Sequence, residues 1–155
     1  MVSGKVSAGC AAMRWSALAF LLAGVMLLSA TAFADAARLT ISIDISAQRM
    51  TVKADGRVLY HWPVSTARPG YRTPVGTFAP YRMEREWYST IYDYAPMPWS
   101  IFFLRGYAIH GTTDIAHLGQ PVSHGCVRLD PDNARTLFRK VQSVGMGQSR
   151  IVIRP

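Results

Sequence analysis

Cysteine is nearly absent from this chain. There are two, Cys10 and Cys126, and Cys10 lies in a segment that reads as an export signal. Loss of that segment leaves one thiol without an internal partner, so a disulfide framework is excluded. Acidic residues are also few, 9 against 17 Lys and Arg, for a formal net charge of +8. No repeat, low-complexity tract or second domain interrupts residues 35–155, which have the size of one modest domain. The basic residues are nearly all Arg and are scattered rather than run together. With no nucleic-acid motif present, this pattern argues against nucleic acid and suits an anionic polymer surface.

The first 34 residues carry the marks of a signal peptide. Lys5 and Arg14 form the positive region, residues 15–28 are uncharged and rich in Ala and Leu, and Ala32-Phe33-Ala34 offers a small-x-small cleavage site before Asp35. No adjacent arginine pair precedes the apolar stretch, which disfavours a twin-arginine route. Cys10 sits upstream of that stretch, where a lipoprotein cysteine does not belong. The competing reading is an uncleaved anchor, but the apolar run is shorter than the ~20 residues of a spanning helix. The expected organisation is therefore residues 1–34 as signal peptide and 35–155 as the mature domain. That domain carries a charge of +6 and no stable membrane span, and it is placed in the periplasm or cell envelope.

The mature chain reads as mainly β. Leu39, Ile41, Ile43 and Ile45 alternate with polar residues, as do Met50, Val52 and Ala54. Ala54-Asp55-Gly56-Arg57 is a hairpin turn signal, with a return strand expected from Val58 through Ser65. Residues 68–74 hold the Pro and Gly of a loop, and Gly76-Thr77-Phe78 resumes a strand. Residues 84–98 are long, irregular and aromatic, with Pro96 and Pro98 barring a regular element. Such a segment is either a lid or binding loop, or a cover over the sheet. Strands are expected at 101–104 and 107–110 and at Ile151 and Ile153, and a helical turn at 113–118. Asp130-Pro131 predicts a capped helix whose Ala134, Leu137, Phe138 and Val141 face the core, with Arg139 and Lys140 in its last turn and Gly145 as its stop.

Chemistry concentrates in Ser123-His124-Gly125-Cys126-Val127-Arg128-Leu129 and in Ile109-His110-Gly111-Thr112, whose histidine lies sixteen residues before the cysteine. A lone exported thiol forms an intermolecular disulfide, is buried and inert, or reacts. Its small and polar neighbours argue against an inert apolar site. A thiol attacks a carbonyl only as thiolate, so a histidine must take its proton and later return it to a leaving amine. His110, at the end of a strand, is the base preferred over His124. The backbone N–H groups of Gly125 and Cys126 are oxyanion candidates. Arg128 either grips a substrate carboxylate or forms a structural ion pair with Asp130 or Asp132. His110, His117, His124 and Cys126 could in principle bind zinc, but their spacing matches no usual zinc motif, and no metal or other cofactor is expected. His117 is read as a surface histidine and His61 as a strand residue without chemistry.

These two blocks, together with Ser65-Thr66 and Pro69-Gly70-Tyr71-Arg72-Thr73-Pro74-Val75-Gly76-Thr77-Phe78, resemble the YkuD-type L,D-transpeptidase catalytic domain over nearly all of the mature chain. The resemblance implies a β-sandwich or mixed-sheet fold with one principal C-terminal helix. It implies Cys126 as nucleophile, His110 as proton donor and acceptor, and Gly111 as the residue whose carbonyl orients that histidine. Ser123, His124 and Gly125 would line the oxyanion and substrate pocket, with Arg128 beside it. The implied partner is a peptidoglycan stem peptide, and the implied reaction is acyl transfer through a thioester to an acceptor amine, giving a 3–3 cross-link during cell wall biogenesis. Water as acceptor would make an L,D-carboxypeptidase, and a protein lysine would make a ligase that attaches an envelope protein to peptidoglycan. Ala67 departs from the family pattern, where Gly often precedes the Pro-Gly-Tyr loop. No separate wall-binding module is visible.

Overall fold

Alternation of apolar and polar residues builds two mixed sheets around one core. The computed structural model describes residue 1 and residues 38–155; the expected signal peptide, Cys10 and the cleavage site lie outside the described residues. The first sheet comprises β1 (Leu39–Asp44), β2 (Arg49–Ala54), β3 (Arg57–Pro63), β4 (Gly76–Phe78) and β9 (Ser149–Arg154), in the order β3-β2-β1-β9-β4. The second comprises β5 (Arg82–Glu84), β6 (Ser100–Leu104), β7 (Tyr107–Gly111) and β8 (Val127–Leu129), in that order. β1 lies parallel to β9 and β7 parallel to β8; the other pairs are antiparallel.

The apolar positions of β1, β2 and β9 (Leu39, Ile41, Ile43, Met50, Val52, Ile151 and Ile153) share one buried face. Helix α1 (Pro131–Val144) presents Ala134, Leu137, Phe138 and Val141 to the same core and packs on β7 and β6. Asp130 caps it by accepting hydrogen bonds from the Asp132 and Asn133 N–H groups at 2.9 and 3.4 Å. Asp55 and Gly56 both have positive φ, 47° and 79°, which is the geometry of a tight two-residue hairpin turn between β2 and β3.

Several boundaries differ from the expected ones. β3 ends at Pro63, where its ladder with β2 ends at Arg49. Ser65 instead crosses to the second sheet: its N–H donates to the Arg128 carbonyl at 3.1 Å and its carbonyl accepts from the Arg128 N–H at 2.9 Å. The turn expected over 113–118 shortens to a single 3-10 turn, Ile115–His117. α1 runs to Val144, beyond Lys140, so its last turn holds no basic side chain. β5 and β8 were not foreseen; three residues show no period, and the equally short β4 was expected only as the chain resuming after the 68–74 loop. Ala67 does not have positive φ, so alanine serves there without strain; its N–H donates to Thr73 Oγ1 at 3.0 Å. Among the described residues no helix is long and apolar enough to cross a membrane.

Candidate active site

The pairing of β7 with β8 sets the site. Ile109 lies opposite Val127, and His110 opposite Arg128. Side chains alternate across a strand, so the two registers serve opposite faces of the sheet. Ile109, Val127 and Leu129 join the main core, while Ala108 packs on the far side with Phe102, Met97, Trp87 and Cys126. His110 and Arg128 share the parity of Ala108. Cys126 directly precedes β8 and is half-buried. Together with His110, His124 and Arg128 it lines a pocket of about 510 Å³.

The segment 84–98 forms one wall of that pocket through Tyr92, Asp93, Pro96 and Met97, so it is a wall and not merely a cover. It folds back on itself through main-chain bonds. The Met97 N–H donates to the Trp87 carbonyl at 2.8 Å, and the Ser89 N–H to the Ala95 carbonyl at 2.9 Å.

His110 is buried, and its Nδ1 lies 2.7 Å from the Gly111 carbonyl. A carbonyl only accepts, so Nδ1 carries the hydrogen and, in the neutral ring, Nε2 holds the lone pair. Gly111 is fixed in turn, its N–H donating to the Pro98 carbonyl at 2.8 Å. Burial lowers the His110 pKa from 6.5 to about 4; the Gly111 bond works against that shift and the Arg128 charge adds to it. Burial pushes the Cys126 thiol up, and the Ala108 N–H and the Arg128 charge only partly offset it. At neutral pH these shifts favour a neutral imidazole and a protonated thiol.

The cysteine loop is braced from within. Ser123 is buried; its hydroxyl donates to the Cys126 carbonyl at 2.7 Å and accepts from the Gly125 N–H at 3.0 Å. This corrects one expectation: the Gly125 N–H is committed to Ser123, so the Cys126 N–H is the remaining oxyanion candidate of the two. Gly125 has φ 131°, and its carbonyl accepts from Thr73 Oγ1 at 2.9 Å. Thr73 belongs to the Pro-Gly-Tyr-Arg-Thr block, which signalled a loop but not this contact. Gln48 carried no signal at all. It is buried at φ 47°, its Nε2 donating to Thr66 Oγ1 at 2.6 Å and its Oε1 accepting from the Thr66 N–H at 2.9 Å.

His124 is held between two tyrosines. Its ring stacks on Tyr92, with centroids 4.2 Å apart, and meets the edge of Tyr71 at 4.7 Å. Partial burial lowers its pKa, helped by the charges of Arg68 and Arg128. Arg128 pairs with neither Asp130 nor Asp132. Asp130 is held by the helix N-terminus and Asp132 by Arg135, so Arg128 Nη1 faces Asp114 Oδ2 at 3.9 Å. Asp114 Oδ1 also meets His117 Nδ1 at 2.5 Å. His117 is exposed, as expected, and His61 Nδ1 bonds only Thr51 Oγ1, at 3.0 Å. Among the described residues no three His, Cys, Asp or Glu side chains are grouped to hold a metal ion.

A thiol and a carbonyl-tethered imidazole opening into one pocket, on the outer face of a two-sheet β domain, define a cysteine–histidine site. The chain belongs to the YkuD family, described as the L,D-transpeptidase catalytic domain, whose profile matches residues 38–153. It is similar to the curated YkuD protein of Bacillus subtilis (strain 168), 29% identical over 89 residues, which are 57% of this chain and 52% of that protein. Among solved structures it is similar to an L,D-transpeptidase from Mycobacterium smegmatis (TM-score 0.69, 27% identity). That match covers 76% of this chain and 59% of the other. The structure of the L,D-transpeptidase LdtMt1 in complex with imipenem matches with a TM-score of 0.68, 27% identity and the same coverages. The chain thus spans about half the length of the curated relative and about three-fifths of these structures.

Proposed function

We propose that this protein is a peptidoglycan L,D-transpeptidase that works by cysteine acyl transfer. The observation that supports it most is the shared pocket of Cys126 and His110, with Nδ1 tied to Gly111 so that Nε2 is the ring's basic atom. Sγ–H gives its proton to Nε2 as sulfur attacks the carbonyl of the third, diamino-acid residue of a tetrapeptide stem. The Cys126 N–H meets the developing oxyanion. As the intermediate collapses, the C–N bond breaks, the proton passes from Nε2 to the departing D-alanine, and a thioester remains. An acceptor stem amine then attacks; its proton goes to Nε2 and back to sulfur as the C–S bond breaks, leaving a 3–3 cross-link and a free thiol.

Depressed basicity at His110 and a raised thiol pKa suit this concerted transfer better than a resting ion pair. The proposal includes residues 1–34 as a removed export signal and the cell envelope as the site of action. Purified protein incubated with disaccharide tetrapeptides is expected to give cross-linked dimers. Tripeptide without dimers would assign an L,D-carboxypeptidase instead, and dimers absent unless a protein lysine is supplied would assign a ligase. A carbapenem is expected to add covalently to the unmutated chain and not to Cys126→Ala, as intact mass will show. No adduct and no product from any donor would overturn the proposal.

A further inference from the structure

The pocket carries a pair of opposite charges that the thioester chemistry does not use. Arg128 and Asp114 both line it, and both remain partly exposed there, with 22% and 41% of their side chains accessible. Their one contact, 3.9 Å between Nη1 and Oδ2, is much longer than the 2.7–2.9 Å of a closed charged hydrogen bond. The pair is therefore adjacent but not sealed. Asp114 is held in place independently of Arg128. Its N–H donates to Thr112 Oγ1 at 3.1 Å, and its second carboxylate oxygen engages His117. Arg128 is held by its own main chain, which Ser65 clamps on both sides. Two opposite charges, adjacent, open to the pocket and left ajar, are complementary to one ligand class, a carbon bearing both an ammonium and a carboxylate.

We infer that Asp114 and Arg128 form a two-point clamp for the zwitterionic amino-acid head at the end of the diamino acid's side chain. This rests on the proposed function, since it assigns the part of that substrate lying beyond the reacting carbonyl. Arg128 lies two residues beyond Cys126, on the face of the second sheet that carries His110 and Ala108, against which Cys126 packs, so the two stand about 7 Å apart. A side chain of three methylenes, starting at the carbonyl that sulfur attacks, spans that interval. On entry the carboxylate replaces Asp114 beside Arg128, and the ammonium replaces Arg128 beside Asp114. No charge is left unpaired, which is why a zwitterion fits and a single charge does not.

The test reads D-alanine release from three tetrapeptide donors: one with the distal head free, one with its carboxylate amidated, and one with its amine acetylated. The unmutated protein is expected to prefer the free head over each derivative by about tenfold or more in kcat/KM, the size of one charge-assisted hydrogen bond. Asp114→Asn is expected to erase the preference over the acetylated donor and keep the preference over the amidated one. Arg128→Gln is expected to do the reverse. A general loss of turnover lowers all three rates without moving their ratios, so a merely structural role cannot mimic this pattern. Asp114→Ala stands in should Asn misfold, and carbapenem acylation checks that each variant still presents its thiol. If the unmutated protein is acylated yet ignores the distal head, the clamp is overturned and the transpeptidase proposal survives. Ratios unmoved by Asp114→Asn, or erased by Asp93→Asn in the 84–98 segment instead, also overturn it. No acylation and no release from any donor would end both.

Discussion

A methyl group at position 125 has nowhere to go. It would lie 2.6 Å from a Tyr107 ring carbon and 2.9 Å from the Arg72 carbonyl oxygen, on a backbone already at φ 131°. The tyrosine could swing, but the carbonyl cannot, so Gly125→Ala must move the cysteine loop itself. A destabilisation of about 2 kcal/mol is expected from this kind of strain, read as a lower denaturant midpoint, together with at least tenfold slower carbapenem acylation. An unchanged acylation rate would show that the loop tolerates displacement. His110 gives a second residue-scale prediction. Its folded pKa near 4, against 6.5 in an open chain, means that the unfolded chain binds the extra proton between those values. The stability this group contributes is whole above pH 6.5 and is lost as pH falls toward 4, by about 3 kcal/mol. Thermal melts at pH 7 and pH 4.5 should therefore differ less in His110→Gln than in the parent. An equal fall in both would exclude the buried imidazole as its source.

At the scale of elements, α1 follows β8 with one intervening residue, so the cap at Asp130 also anchors the strand that carries Arg128. Asp130→Ala is expected to cost about 1 kcal/mol by leaving helix N–H groups unpaired, as a urea midpoint shift will show. The capping was legible in Asp130-Pro131 and the hairpin in Asp55-Gly56, because both are local chemistry written in adjacent residues. The long strands were legible because period-two alternation persists over six residues. β5 and β8 were not: three residues carry no period, and neither had the loop signal that marked the equally short β4. Nor was the partner of Arg128. The sequence offered Asp130 and Asp132 as near neighbours, but those carboxylates are held by the helix N-terminus and by Arg135, and Asp114 arrives from the segment after β7, the neighbouring strand. Likewise Ser123 stood in the motif without a sign that its hydroxyl would turn inward to hold Gly125 and Cys126. Such contacts depend on how loops close, which residue spacing alone does not encode.

Across the whole molecule, both sheets and α1 share one core, so a cavity in it lowers the stability of the whole domain. Ile151 is fully buried on β9, opposite Ile41 on β1. Ile151→Ala is expected to cost about 2–5 kcal/mol, measured by equilibrium denaturation, while leaving the mass of the carbapenem adduct unchanged in the fraction still folded. The position of β9 has a further consequence. This strand, residues 149–154, sits inside the first sheet between β1 and β4 rather than at an edge. Of the domain's strands β1 comes first and β9 last in the chain, so β1 gains its parallel neighbour only across a loop that contains every other element. Loop closure on this span is costly and slow. Completion of the first sheet is therefore gated by β9, the last of the domain's strands in chain order.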